Sequence, residues 1–146
     1  MQIVLEEGLT CLVLHPGPQL VTGTDADSNN NSVVLRLTWG KVSFLLPGDI
    51  EAIVEEQLVR DGQPLASMVF KVPHHGADTS SSAGFLDAVA PRLAVISVGA
   101  DNRFGHPAPE VLQRLGERGI TVLRTDERGS VEMISDGEKV WVRTER

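Results

Sequence analysis

The chain has 146 residues, of which 41% are hydrophobic, and it contains one cysteine. This size fits one globular domain, residues 1–146, with a sizeable core. A single cysteine excludes a disulfide within the chain. The longest apolar runs are shorter than the ~18 residues of a membrane span, so we expect a soluble chain. The net charge of −7 argues against a broad basic surface for nucleic acid, although bound cations could still hold a phosphate substrate.

The first third of the chain predicts strands joined by turns. The strands are expected at residues 3–6, 11–14, 33–39 and 42–46, with turns at Glu7-Gly8 and Gly40-Lys41. The segment 16–31 has two prolines, two glycines and the run "DADSNNN", which predicts a loop. Cys11 lies within the second strand, where a buried small side chain is expected.

The remainder alternates between helices and strands. Helical spacing of apolar residues predicts helices at 50–60, 83–89 and 110–118, and apolar runs predict strands at 68–72, 93–98, 120–123, 130–134 and 140–142. This order predicts an α/β fold with a partly parallel sheet. Loops that follow the carboxyl ends of parallel strands are the usual place for chemistry in such sheets.

The first loop with chemical residues is "LLPGDIE", residues 45–51. Gly48 allows a sharp turn, which would leave the Asp49 carboxylate at the edge of the sheet. The alternative is structural, because an aspartate that precedes a helix is often its N-cap and Glu51 would suit the first turn. Taken alone, this loop favours the N-cap interpretation.

Two further loops carry histidines. His74 and His75 are adjacent in "KVPHHGADTSSS", and His106 precedes Pro107 in "NRFGHP". The pair could be a polar surface feature at a strand end, and His106 alone is more typical of a solvated residue near a helix start. His15 precedes Pro16 and is interpreted as structural, because no other potential ligand lies near it in sequence.

Considered together, these loops predict part of a metal site. Carboxylate and imidazole are ligands of zinc and manganese, and a carboxylate can bridge two cations that act on a phosphodiester. Asp49 and His75 are expected at the same end of neighbouring strands. Two protein ligands are nevertheless too few for a catalytic site, and the sequence contains no His-x-His-x-Asp-His cluster.

Three segments together resemble the metallo-β-lactamase-like domain of the ComEC family, membrane proteins of bacterial DNA uptake in natural competence. They are "NNNSVVLRLTWGKVSFLLPGDIEAIVEEQL", "FKVPHHGADTSSSAGFLDAVAPRLAVISVGADNRFGHPAPEVLQRL" and "GITVLRTDERGSVEM". The similarity covers about residues 29–142, with the motifs in order. It implies one half of an αββα sandwich, a mixed sheet with helices packed on one face.

The resemblance also implies roles for individual residues. Asp49 and the His74-His75 pair match metal ligands of a site that holds two divalent ions, zinc or manganese, in the complete domain; either histidine of the pair could be the ligand, and similarity to other His-His-Gly members of the family favours His75. Four other residues match positions expected to line the cleft or contact substrate as catalytic residues: His74, Glu51, Asn102 and His106. The implied activity is phosphodiester hydrolysis that degrades the non-transported DNA strand. Pro47 departs from the family, which commonly has threonine there.

The family's early histidine motif has no counterpart here, so the chain resembles the C-terminal half of that domain. We therefore expect an inactive segment without tightly bound metal and with an apolar sheet face where the missing N-terminal half would pack. The implied partners are DNA, that half, and the channel and other domains of a parent in the bacterial inner membrane, this domain being on the extracytoplasmic side. The alternative is a non-catalytic module that binds DNA or serves as a scaffold.

Overall fold

The computed structural model describes residues 1–6 and 8–146; the turn predicted at Glu7-Gly8 therefore lies partly outside the described residues. The strands are β1 Gln2–Glu6, β2 Leu9–His15, β3 Val34–Trp39, β4 Val42–Leu46, β5 Val69–Lys71, β6 Leu93–Ile96, β7 Thr121–Arg124, β8 Val131–Ser135 and β9 Val140–Thr144. The helices are α1 Asp27–Asn30, α2 Ala52–Arg60, α3 Ala83–Val89, α4 Pro109–Glu117 and α5 Thr125–Arg128, with a 3₁₀ turn at Pro73–Gly76.

The strands of the main sheet lie side by side in chain order, from β1 to β7. Strands β1 to β4 pair in antiparallel fashion, and β4 to β7 pair in parallel. Parallel neighbours require a crossover, and α2, α3 and α4 lie in the connections between β4, β5, β6 and β7. The loops after β4, β5 and β6 therefore emerge at the same edge of the sheet.

The helices pack on one face of this sheet. Leu45, Phe70 and Ala94 are register partners on neighbouring strands, and all three are fully buried in the core cluster that includes residues of α2, α3 and α4. The rings of Phe70 and Phe85 meet edge to face, 6.0 Å apart, between sheet and helix. The predicted fold class is confirmed: α/β, with a mixed sheet and helices on one face, consistent with half of an αββα sandwich.

The opposite face of the sheet is apolar and only partly covered. Five apolar residues that alternate with the core row are half-buried and lie outside the core cluster: Leu35, Leu37, Phe44, Leu46 and Val95. The β8–β9 hairpin lies against one side of this face, where the Lys41 N–H donates to the Gly137 carbonyl at 2.7 Å. A cavity of about 370 Å³ separates the hairpin from β5 and β6. This face agrees with the expectation of an apolar surface.

The boundaries of several elements differ from the predictions for identifiable reasons. Helix α2 begins at Ala52 instead of residue 50, because the Ile50 carbonyl accepts the Ser80 hydroxyl instead of a helical N–H. Strand β6 ends at Ile96, because the Thr125 hydroxyl accepts a hydrogen bond from the Val98 N–H and donates one to the Val98 carbonyl. The short helices α1 and α5 lie in segments for which no helix was predicted.

Cys11 is 6% exposed, as expected for a small apolar residue of the sheet. Within residues 1–6 and 8–146, no helix is long and apolar enough to cross a membrane.

Candidate functional site

The Gly48-Asp49 turn follows β4 and depends on glycine. Gly48 has a φ of +64°, and a Cβ atom there would lie 2.6 Å from the Cβ atom of Ser32. The Asp49 N–H donates to the Ser32 hydroxyl at 3.1 Å, which fixes the turn against the segment before β3. Glu51, not Asp49, occupies the N-cap position of α2, so the N-cap interpretation of Asp49 is wrong.

The electrostatic surroundings of Asp49 include one half-buried amine, that of Lys71. Lys71 ends β5 and donates to the Val72 carbonyl at 3.2 Å. Burial lowers the pKa of the Lys71 amine, and the nearby Asp49 carboxylate partly opposes that effect. The negative charge of Asp49 thus acts on the amine of Lys71, at the carboxyl end of the neighbouring parallel strand.

His74 and His75 form a turn with two consecutive left-handed residues. Their φ and ψ angles are 48° and 40° for His74, and 55° and 19° for His75. Each such conformation costs a residue with a side chain on the order of 1 kcal/mol or more, and backbone strain of this kind concentrates at functional sites. The turn therefore has a geometry that a simple polar strand end does not require.

The His75 ring is oriented by a backbone carbonyl. Its Nδ1 atom lies 2.6 Å from the Ser97 carbonyl oxygen, and because a carbonyl only accepts hydrogen bonds, Nδ1 carries the proton. The neutral ring then leaves Nε2 as its unprotonated nitrogen. Histidines that bind metal ions usually have this arrangement, with the second ring nitrogen donating to a carbonyl or carboxylate.

His74 lies in a polar cluster beside Glu51. The Asn29 amide lies 3.3 Å from His74 Nε2, and the Thr79 hydroxyl lies 3.4 Å from His74 Nδ1. The same Nδ1 atom is 3.8 Å from a carboxylate oxygen of Glu51. His74 is thus placed to exchange or hold a proton at Nδ1 next to an acidic group.

The third loop is closed by the Asn102 side chain. The Asn102 amide donates to the His106 carbonyl at 2.8 Å, and its oxygen accepts the His106 N–H at 2.8 Å. The His106 ring stacks on Phe104 at 5.7 Å and meets the His74 ring edge to face at 6.0 Å. His106 is half-buried between two rings, so its interpretation as a solvated residue is wrong.

Burial lowers the pKa of His106, and the imidazoles of His74 and His75 lower it further. The Asp78 carboxylate acts in the opposite direction. The lowered pKa favours the neutral form of the His106 ring.

Backbone hydrogen bonds hold the three loops together. The His74 N–H donates to the Gly48 carbonyl at 3.2 Å, and the Ala108 N–H donates to the Gly76 carbonyl at 2.8 Å. Gly76 packs closely on Pro107, since a Cβ atom at Gly76 would lie 2.7 Å from that ring. The loops after β4, β5 and β6 consequently form one continuous edge.

A buried layer supports this edge. The Glu51 N–H donates to the Asn30 side chain at 3.0 Å, and Asn30 is fully buried. The Asn30 carbonyl in turn accepts from Nε2 of His15, which is 4% exposed. His15 therefore supports the site indirectly, through its bond to Asn30, in agreement with its structural interpretation.

The predicted site residues are brought together in pairs, not as a complete metal centre. His75, Asn102 and His106 line a cavity of about 210 Å³, and Glu51 contacts His74. Among the described residues, no group of three or more histidine, cysteine, aspartate or glutamate side chains could hold a metal ion. The Asp49 carboxylate and the His75 imidazole are donor types that suit zinc or manganese, and two such donors are fewer than the three protein ligands of a typical catalytic zinc site.

Sequence reasoning missed the residues that orient the histidines, namely Asn29, Thr79 and Ser97. The Asn-rich run 29–31 predicts a loop, and the hydrogen-bonding capacity of its asparagine side chains is the signal that could have found Asn29. No local signal marks Ser97, because its backbone carbonyl is the group involved.

The two oriented histidines yield a direct spectroscopic prediction. His75 should be the Nδ1–H tautomer, and His15, whose Nε2 lies 2.8 Å from the Asn30 carbonyl, should be the Nε2–H tautomer. Long-range ¹H–¹⁵N spectra recorded at about pH 8.5, where imidazole is neutral, measure both in one sample. His15 is the internal control. An Nε2–H signal for His75 would contradict its proposed orientation as a ligand.

No family model matches the chain. It is 38% identical over 107 residues to "ComE operon protein 3" of Bacillus subtilis, an alignment that covers 73% of this chain and 14% of that protein. It is 43% identical over 107 residues to "Competence protein ComA" of Neisseria gonorrhoeae, covering 73% and 16%. It is 35% identical over 127 residues to "Recombination protein 2" of Haemophilus influenzae, covering 87% and 15%. The chain thus spans about one seventh of the length of these relatives.

Proposed function

Because this chain belongs to the ComEC family of competence proteins, we propose that it is the C-terminal part of a metal-dependent hydrolase domain acting on DNA during uptake. The substrate would be a phosphodiester of the strand that is not transported. The parent protein would lie in the bacterial inner membrane, with this domain on the extracytoplasmic side. Its partners would be DNA, the N-terminal half of the same domain, and the channel and other domains of the parent.

The observation that carries this proposal is the orientation of His75. Its Nδ1–H is held by Ser97 at 2.6 Å, which leaves Nε2 available as a donor to a cation. The adjoining His74 N–H bonds to Gly48 in the Asp49 turn, so a second potential ligand lies on the neighbouring loop. A surface histidine pair requires neither contact.

Asp49 and His75 would hold cations, and the other ligands would come from the N-terminal half of the domain. Two divalent cations would supply Lewis-acid stabilisation of the phosphodiester and activation of water. His74 would exchange a proton at Nδ1, which lies 3.8 Å from Glu51. Asn102 would fix the position of His106, whose neutral ring is favoured and could accept a proton or bond to substrate.

A non-catalytic module for DNA binding or scaffolding is the second candidate function. The observation that favours it, for this segment and not for the parent protein, is the incomplete ligand set in the part of the chain that the structure describes. We propose that the 146-residue chain alone hydrolyses no DNA and holds metal weakly, because most of the coordination of a cation would be left to water. This property of the segment is compatible with either function of the parent.

Metal removal separates the two functions in the longer parent protein. After chelation and desalting, hydrolysis of a labelled oligonucleotide should fall to background, and manganese or zinc should restore it. The metal content of each preparation, measured by elemental analysis, should follow the same course. DNA binding should be monitored in parallel as the control for intact folding. Hydrolysis that survives complete removal of metal would refute the proposal, whereas metal-independent binding without hydrolysis would favour the module.

A further inference from the structure

Phe104 is a highly exposed aromatic residue next to the candidate site. Its side chain is 82% exposed, whereas the other described phenylalanines are buried or half-buried. One face of its ring lies on His106, with centroids 5.7 Å apart and planes inclined by 16°. Ring stacking thus holds Phe104 in a defined orientation. Much of the surface of its ring nevertheless remains exposed to water.

The loop that carries Phe104 is held by hydrogen bonds at its base. Asn102 donates to the Gly99 and His106 carbonyls and accepts the His106 N–H, at distances of 3.0, 2.8 and 2.8 Å. These bonds close a loop of a few residues around the ring. A stacking surface of this kind requires little ordering when a ligand arrives, which lowers the entropic cost of binding.

The ring borders the cavity of about 210 Å³ that His75, Asn102 and His106 also line. A ligand on the Phe104 ring would therefore continue directly toward the histidines. The charges of the loop offset each other, because Asp101 and Arg103 are both exposed and carry opposite signs. Affinity at this position would come mainly from the aromatic surface, and less from charge.

We propose that Phe104 is a stacking platform for an unpaired nucleobase of single-stranded DNA, next to the nucleotide whose phosphodiester enters the site. The inference rests on the proposed function, since it assigns the substrate class of the same site. Nucleobases present an aromatic face in any sequence, and stacking on a protein ring is tolerant of base identity. Bases within a duplex are already stacked on each other, so the platform favours single strands and frayed ends.

The test compares a strand with bases and a strand without them. Binding of the 146-residue chain to a fluorescent oligothymidylate and to an abasic oligonucleotide of equal length is measured by anisotropy at low salt. Phe104→Ala should weaken binding to oligothymidylate about 10-fold or more, the loss typical of one stacked base, and should leave binding to the abasic strand unchanged. Phe104→Trp should retain binding. Trp141→Ala, on the β8–β9 hairpin, removes another exposed aromatic side chain and serves as the matched control.

Equal losses on both strands, or no loss in Phe104→Ala, would overturn the platform. A wild-type chain that binds the two strands equally, or neither of them, would overturn it as well. None of these outcomes affects the proposed hydrolase function, which is judged by metal-dependent cleavage in the longer parent protein. Conversely, base-dependent binding through Phe104 in a parent that does not cleave DNA would support the platform and refute only the hydrolase.

Discussion

Replacing Asp49 by asparagine in the longer parent protein is expected to reduce metal-dependent hydrolysis by more than about 100-fold. Mutation of residues that only support a metal ligand already lowers metal affinity or activity by about 10- to 100-fold, and loss of a ligand itself should have a larger effect. Asparagine keeps the size of the side chain and the backbone bond from Asp49 N–H to Ser32, at 3.1 Å. It removes the negative charge that would bridge or bind the cations. Bound metal, measured by elemental analysis, should decrease together with the rate.

The matched control for this variant is Asp61→Asn. Asp61 is an exposed aspartate at the C-cap of α2, on the far end of the helix that follows the Asp49 turn. Its replacement should leave both rate and metal content near the wild-type values. Undiminished cleavage by the Asp49→Asn protein would show that this carboxylate is not a ligand and would remove the central assignment.

The largest expected effect on stability lies at Glu55, a fully buried residue of α2. Its two carboxylate oxygens accept the Ser81 N–H at 2.6 Å and the Ser82 N–H at 2.8 Å. Those bonds fasten the end of the loop that begins at His75. Glu55→Ala should lower the free energy of unfolding by about 3 kcal/mol, because it leaves buried N–H groups unpaired and opens a cavity.

Urea denaturation of the 146-residue chain measures this difference. Glu56→Ala is the matched control, since Glu56 is the next residue on the same helix and is exposed. That change should alter the free energy of unfolding by less than about 0.5 kcal/mol. Similar midpoints for Glu55→Ala and Glu56→Ala would mean that the buried carboxylate contributes no net stability.

Glu55 also gives the stability a defined dependence on pH. Burial, the largest influence, raises the pKa of its carboxyl group above the ordinary value of 4.5, although the Ser82 and Ser81 hydrogen bonds and Arg114 oppose it. The folded protein therefore holds this proton more tightly than the unfolded chain. The resulting stabilisation is complete below the ordinary pKa and is lost as the pH rises through the raised one. The stability advantage of wild type over the non-titrating Glu55→Gln variant should shrink over the same pH range.

The order and type of most elements could be predicted from the sequence, because the apolar periodicity of this chain is strong. The short helices escaped prediction because tertiary contacts support them. In α1, Asn30 bonds to the Glu51 N–H, and in α5 the Thr125 hydroxyl holds the end of β6. Neither contact is visible in a local stretch of sequence.

The loops that form the candidate site could be predicted from the sequence, but the orientation and hydrogen bonds of their side chains could not. Gly48-Asp49 and the histidine pair follow neighbouring parallel strands, so their proximity follows from the topology. The tautomer of His75 depends on a carbonyl 22 residues further along the chain. The left-handed conformation of His74 and His75 was not predictable either, since such angles are typical of glycine and asparagine.

The agreement between strand order and chain order has a consequence for how the protein acquires its structure. Each strand from β2 to β7 pairs with the strand that immediately precedes it, so no pairing must wait for a distant segment. Of the antiparallel pairs, β3 and β4 are closed by the short turn Gly40-Lys41, whereas β2 and β3 are joined by residues 16–33; each parallel strand requires the closure of a crossover of at least that length. The sheet can therefore grow by addition at one edge, and the three site loops meet only after β6 has been added. In that order of assembly, the site forms on strands that are already paired.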